Sequence, residues 1–357
     1  AVMRHPLAGG GAVVMLLVAA ALPYSNMVTG GSGVTTLPHD LASRQAYETL
    51  RREFGVGGVA PARIPIVGNP RSAANHAAIA RIAAAVRTDP VLGTPRIEPG
   101  ASARGAVLDV PINAEATSPA ATAAITRLRA VTALPVTGAA AQNLDYFTIA
   151  RDYQPVVLAI VLGLSFLVLL LAFRSLVVPV VAILMNLLSV GAAYGLLTLV
   201  AQEGYGTGLL GFQRVDAIEA WIPLFLFAVL FGLSMDYHVF LISRIRERHD
   251  VTGETRRAIS EGISSSARLI TGAALIMVAV FAGFASGQLV MFQQMGFGLA
   301  VAILIDATLV RTVLVPAVMS VLGRANWYLP GWLSWLPDLG ASGQAAAGGE
   351  QRDAVVA

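Results

Sequence analysis

The sequence predicts an α-helical polytopic membrane protein with six transmembrane helices and an inserted extracytoplasmic α+β subdomain of ferredoxin-like order. Three observations lead there. Hydrophobic residues make up 56% of the 357-residue chain, its mean hydropathy is +0.70 and 13% of its residues are charged, against ~25% for a soluble domain. Six apolar stretches approach bilayer length, which takes ~20 residues per helix. One long region of ordinary soluble character separates the first stretch from the other five.

The apolar stretches are 7–24, 155–173, 177–201, 220–243, 268–288 and 296–322. They divide the chain into a first transmembrane helix (1–24), an extracytoplasmic domain (25–154), a five-helix transmembrane bundle (155–325) and a cytoplasmic, partly disordered tail (326–357). The first stretch, read from Met3, also has the basic start, apolar middle and small-residue end of a secretory signal. The five later spans favour a retained helix.

Loop charges set the orientation, because cytoplasmic loops collect positive residues. All 24 basic residues are Arg. Arg4 precedes the first span, Arg174 follows the second and Arg324 follows the last. Loop 244–268 holds six more, Arg244, Arg246, Arg248, Arg256, Arg257 and Arg268. Loop 202–219 instead carries Glu203, Asp216 and Glu219 against Arg214. Both termini are therefore expected in the cytoplasm of a multi-pass cell-membrane protein, with 25–154 outside.

Within the outer region, PARIPIVG (61–68) reads as a strand. SAANHAAIARIAAAVRT (72–88) places Ile79, Ile82 and Val86 on one helical face. Strands follow near 92–98 and 104–113. SPAATAAITRLRAV (118–131) is a second helix, with Ser118 as N-cap and Pro119 in its first turn. A short strand near 135–137 completes β-α-β-β-α-β, the split βαβ order. A helix over 40–53 precedes the set.

The chemistry sits where charge interrupts the spans. Asp236 lies well inside the fourth, and an acid at a helix centre costs ~2.5–3.5 kcal/mol on insertion scales. Such residues face the bundle interior or a polar partner. Phe225, Val229, Gly232 and Ser243 share its face, and Gly232 allows another helix to come close. Tyr237 beside it can donate to a carboxylate on a neighbouring helix. In the last span, Asp306 lies near the middle and Arg311 five residues on. Five residues turn an α-helix by ~140°, so this pair does not share a face. At ~1.5 Å per residue, Arg311 and Asp236 lie at a common depth of ~23 Å, with Asp306 nearer the midplane. Arg311 is thus expected to pair with Asp236. Each acid has a competing reading as a packing hydrogen bond. His238 suits a proton relay, but a lone histidine near a helix end is more often solvated or packed. Gly191 and Gly195 in GAAYG form a small-residue pair for helix packing.

No Cys is present, which removes disulfides and thiolate chemistry. No phosphate-binding loop is present, so ATP hydrolysis is not expected. No cofactor, metal, enzymatic activity or nucleic-acid partner is called for. An intramembrane aspartyl protease using Asp236 and Asp306 would need a G-x-G-D context that neither acid has.

FGLSMDYHVFLISRIRE (231–247) and GFGLAVAILIDATLVRTVLVPAVM (296–319) resemble the MMPL family (mycobacterial membrane protein large) of the resistance-nodulation-division superfamily. FRSLVVPVVAILMNLLSVGAAYG (173–195) and NWYLPGWL (326–333) fit as well. The resemblance implies a proton-driven exporter of lipids or other hydrophobic molecules. It implies proton-relay roles for Asp236, Tyr237, Asp306 and Arg311, and makes the outer region a porter subdomain. Family members have two such halves. This chain resembles the second, so the expected partner is an N-terminal half with a matching Asp-Tyr helix. A drug exporter, a protein-translocation aid of the same superfamily and a nonfunctional fragment stay open as alternatives, and so does oligomeric assembly.

Overall fold

The computed structural model describes residues 5–31, 33–38, 40–54, 60–100, 105–333 and 335–336. Arg4 and the tail after Pro337 lie outside the described residues.

Helix α1 (Pro6–Ala21) starts on Pro6, whose missing N–H is no loss in a first turn, and runs into a 3-10 turn, Leu22–Asn26. Strand β1 (Thr29–Gly30) follows, and then α2 (Ala42–Phe54). β2 (Ala62–Val67) alternates buried and outward residues, the mark of a half-buried strand. Ser72 caps α3 (Ala73–Val86) by accepting from the Asn75 N–H at 3.4 Å. β3 (Arg96–Pro99) and β4 (Gly105–Val110) lead to α4 (Pro119–Val131), where Ser118 accepts from the Ala121 N–H at 3.2 Å.

The sheet is antiparallel in the order β2-β4-β3, so the strand that enters last from sequence lies in the middle. The expected strand at 135–137 is reduced to one bridge, Thr137 to Arg63, on the free edge of β2. Ile64, Ile66, Leu108 and Val110 from the sheet bury against Ile82, Val86, Ile125 and Leu128 from α3 and α4. Fully burying each such side chain stabilises by about 1.5–3 kcal/mol.

Gly138, at φ 112°, turns the chain into α5 (Ala139–Phe173). This helix starts well before the apolar run expected from 155. Its first half is polar, so hydropathy alone misses it. Pro155 sits within it at the junction, where one backbone bond is lost. Next are α6 (Val177–Ala201), the short α7 (Thr207–Leu210) and β5 (Ile218–Glu219). Helix α8 (Ile222–Thr252) ends on Gly253 in the left-handed conformation, and α9 (Thr255–Ala285) follows almost at once. The Arg-rich segment 244–268, read as a loop, is therefore two helix ends joined by a tight turn. The last span is α10 (Val290–Ile305), a π-helix (Asp306–Leu314) and α11 (Val315–Leu322).

Among the described residues, six helical segments are long and apolar enough to cross a membrane: Pro6–Asn26, Ala139–Phe173, Val177–Ala201, Ile222–His249, Thr255–Ala285 and Val290–Trp327. α1 packs on α6 at Gly195, where an added Cβ would collide with the Ala20 carbonyl; at Gly191 the nearest atom, Ala21 Cβ, stands 3.6 Å away. One end of the bundle is latched by polar contacts. β1 pairs with β5, Gln202 Oε1 accepts from the Val28 N–H at 3.1 Å, and Gln294 Oε1 accepts from the Glu219 N–H at 3.1 Å. At the other end Arg246 donates to the Phe173 carbonyl that α5 leaves unpaired, and its guanidinium lies 5.6 Å from the Trp327 ring centre.

Candidate functional site: a buried ion pair between the fourth and sixth spans

In a π-helix each N–H bonds five residues back rather than four. Residues five apart therefore stack on one face, where an α-helix would part them. Over Asp306–Leu314 the last span has this winding, and Arg311 Nη2 donates to Asp306 Oδ2. Both residues are buried, Arg311 at 5% and Asp306 at 7% exposure. The expected Arg311–Asp236 pair is thus overturned. The depth argument assumed α-helical turns, and one π segment in the last span gives Arg311 a carboxylate on its own helix.

Ser234 of α8 faces this pair. Its hydroxyl lies 3.0 Å from Asp306 Oδ2 and 2.7 Å from Asn186 Oδ1, and its carbonyl accepts from Arg311 Nη2 at 3.3 Å. Ser234 and Asn186 are site residues that sequence reasoning missed. The available signals were an amide in the middle of the apolar α6 and a serine spaced four before His238, hence on its face. Tyr237 joins through its ring: the Arg311 guanidinium lies 4.6 Å from the ring centre, cation over π-face. A cavity of about 20 Å³ opens among Asn186, Ser234, Tyr237, Asp306 and Arg311, room for a water molecule. Asp306 Oδ1, Arg311 Nε and Asn186 Nδ2 are buried with no protein partner. The carboxyl of Asp306 can therefore exchange a proton without breaking every contact of the pair.

Asp236 stands apart from this site. It is two residues from Ser234, about 200° around the helix, and it is exposed, as are Phe225, Gly232 and Ser243 along the same stripe. Among the described residues nothing lies within 4 Å of a Cβ built on Gly232, so its open face meets no other described helix. Facing apart, Asp236 and Asp306 are not arranged to share one water, as a protease dyad must. His238 is 1% exposed, which excludes the solvated position that its place near a helix end suggested.

A separate cavity of 720 Å³ lies where the α+β unit meets the spans, lined by Tyr24, Phe147, Arg151, Trp221, Pro223 and Leu224 among others. Its walls mix aromatic and apolar side chains with hydroxyls, an amide and the charges of Arg151 and Asp152.

The MMPL family model matches residues 106–335, which takes in every residue of the ion-pair site. The chain is 37% identical to the "Mycolic acid-containing lipids exporter MmpL11" of Mycolicibacterium smegmatis and 37% identical to the "Heme uptake protein MmpL11" of Mycobacterium tuberculosis, in each case over 93% of this chain and 36% of the relative. It is 31% identical to the "Trehalose monomycolate exporter MmpL3" of M. smegmatis, over 93% of this chain and 34% of the relative. The chain thus spans about a third of the length of these curated relatives. With six membrane-length helices and a family match through the last five, this multi-pass membrane protein belongs to the MMPL family.

Proposed function

We propose that the chain is one half of a proton-motive-force-driven transporter that exports lipids or other hydrophobic molecules. The observation that carries this reading is the Asp306–Arg311 pair, held inside a membrane bundle next to a hydroxyl and a small cavity. Buried ions are expensive in a bilayer and are found where ions or protons move. The names of the MmpL11 and MmpL3 relatives in M. smegmatis support a lipid cargo. The 720 Å³ cavity at the junction of spans and outer unit has the size and the mixed aromatic and polar lining that suit an amphipathic lipid. The outer unit acts as a porter subdomain of split βαβ type, and the exposed stripe through Asp236 receives the other half of the transporter. The activity is transport rather than catalysis.

A strain lacking the locus is expected to lose a surface lipid class and accumulate its precursor, as read by lipidomics of the envelope. An unchanged lipid profile with impaired heme-dependent growth would instead support the activity named for the M. tuberculosis relative. Unchanged lipids and unchanged heme use would leave a drug or protein cargo of the same superfamily.

Sidedness follows from the charge asymmetry. Reporter fusions at Gly100 and at Gly253 are expected to give opposite signals, outside and cytoplasmic respectively. Matching signals would overturn the topology.

A further inference from the structure

We propose that His238 is a proton relay, connecting the buried Asp306–Arg311 pair with a second cavity beside the turn that follows the last span. The inference rests on the proton-driven reading above and assigns the path by which a proton reaches and leaves the pair.

His238 lies one turn after Ser234 on α8, so the two share a face. Its Nδ1 is 3.1 Å from the Ser234 carbonyl oxygen and 3.4 Å from Ser234 Oγ. Ser234 Oγ is in turn 3.0 Å from Asp306 Oδ2. Carboxyl, hydroxyl and imidazole thus form an unbroken series at hydrogen-bonding distance. The other ring nitrogen, Nε2, is buried without a partner. Native interiors rarely leave such a group unserved.

His238 lines a cavity of about 20 Å³ that does not include Asp306. It has room for a water molecule, and its far wall includes Val178, Ala182, Met319 and Asn326. Asn326 belongs to the turn that follows the last span, and its carbonyl accepts from the Ser175 hydroxyl at 2.6 Å, beside Arg174. The imidazole therefore stands between two cavities, one at the ion pair and one bordered by the turn that follows the last span. The charged groups that act on it are Asp306 and Arg311 of the last span. The α6 residues that share the second cavity, Val178, Val181, Ala182 and Met185, are apolar.

Imidazole suits this position because it takes up and releases a proton near neutral pH at two separate atoms. The Ser234 carbonyl can only accept, so the resting ring carries its proton on Nδ1 and Nε2 is the free acceptor. Nε2 takes a proton from water in the second cavity, and the Nδ1 proton passes to Ser234 Oγ while the hydroxyl's own proton moves to the Asp306 carboxylate. One proton has moved from water to the carboxyl, leaving a neutral ring with its proton on Nε2. The same steps in reverse carry the proton from the carboxyl to water and restore the Nδ1–H ring.

The test is proton flux into proteoliposomes holding the full transporter, under an imposed pH gradient. His238→Gln, which cannot carry a proton, is expected to lower flux by about 10-fold or more, in line with the loss of a positioned acid–base group. His238→Glu, which can, is expected to recover flux and to move its pH profile downward, since carboxyls titrate ~2 units below imidazole. Wild-type flux in His238→Gln overturns the relay, and so does equal loss in the Gln and Glu variants, which marks a packing role. Ala182→Leu, which fills the second cavity from α6, is expected to lower flux as well. Wild-type flux in that variant overturns the route even if the His238 variants fail to reach the membrane. Asp306→Asn separates the two readings. Flux lost there but kept in His238→Gln removes only the relay, whereas flux kept in Asp306→Asn removes the proton-driven function itself.

Discussion

Arg311→Met is expected to destabilise the membrane bundle by about 3–5 kcal/mol, the cost of removing one partner from a buried ion pair, and to abolish transport. The loss would strand the buried Asp306 carboxylate, with Oδ1 already unpartnered and Oδ2 holding only the Ser234 hydroxyl. It also removes the donor to the Ser234 carbonyl and the cation over the Tyr237 ring. Asp306→Leu alone is expected to cost a similar amount, because it strands the guanidinium. The double variant Asp306→Leu with Arg311→Met removes both charges, and buried pairs replaced by apolar residues are often neutral in stability. Its stability should therefore return toward wild type, while transport stays absent. Thermal unfolding in detergent of the four proteins gives the coupling directly. Strictly additive losses would show that the two side chains do not hold one another.

Asp236→Asn is expected to abolish export by the full transporter at an unchanged membrane level. The carboxyl lies in a membrane-length helix, is exposed, and makes no ion pair among the described residues. A carboxylate at such a depth costs ~2.5–3.5 kcal/mol unless something receives it. Under the proposed function that something is the other half of the transporter. Asn keeps the size and most of the hydrogen bonding but cannot ionise. Packing at the junction of the halves would survive the change, and proton exchange would not. Full export by this variant, measured as surface lipid in a complemented deletion strain, would leave Asp236 a packing residue.

The six spans were legible in the sequence because crossing a bilayer is a one-dimensional requirement: enough consecutive apolar residues to satisfy length. The four strongest polar interruptions, Asp236, Tyr237, Asp306 and Arg311, were legible for the same reason, since each breaks such a run. The cap at Ser118 was legible because a cap is set by neighbours within one turn, whereas the cap at Ser72 was not read from the sequence. Helical extensions beyond the apolar runs were not visible: the polar first half of α5 and the Arg-rich ends of α8 and α9 carry no hydropathy signal. Which charge meets which was also beyond the sequence. Ideal α-helical turns part Asp306 from Arg311 and set Arg311 level with Asp236, whereas the π winding of a single segment brings the first two together. The same holds for the neutral members of the site. Ser234 and Asn186 are ordinary residues, and His238 one whose role the sequence left open, until three helices pack so that one hydroxyl reaches a carboxylate, an amide and an imidazole at once. Helix existence follows from local composition, but partner choice follows from winding and packing between segments far apart in the chain, and only the tertiary structure decided it.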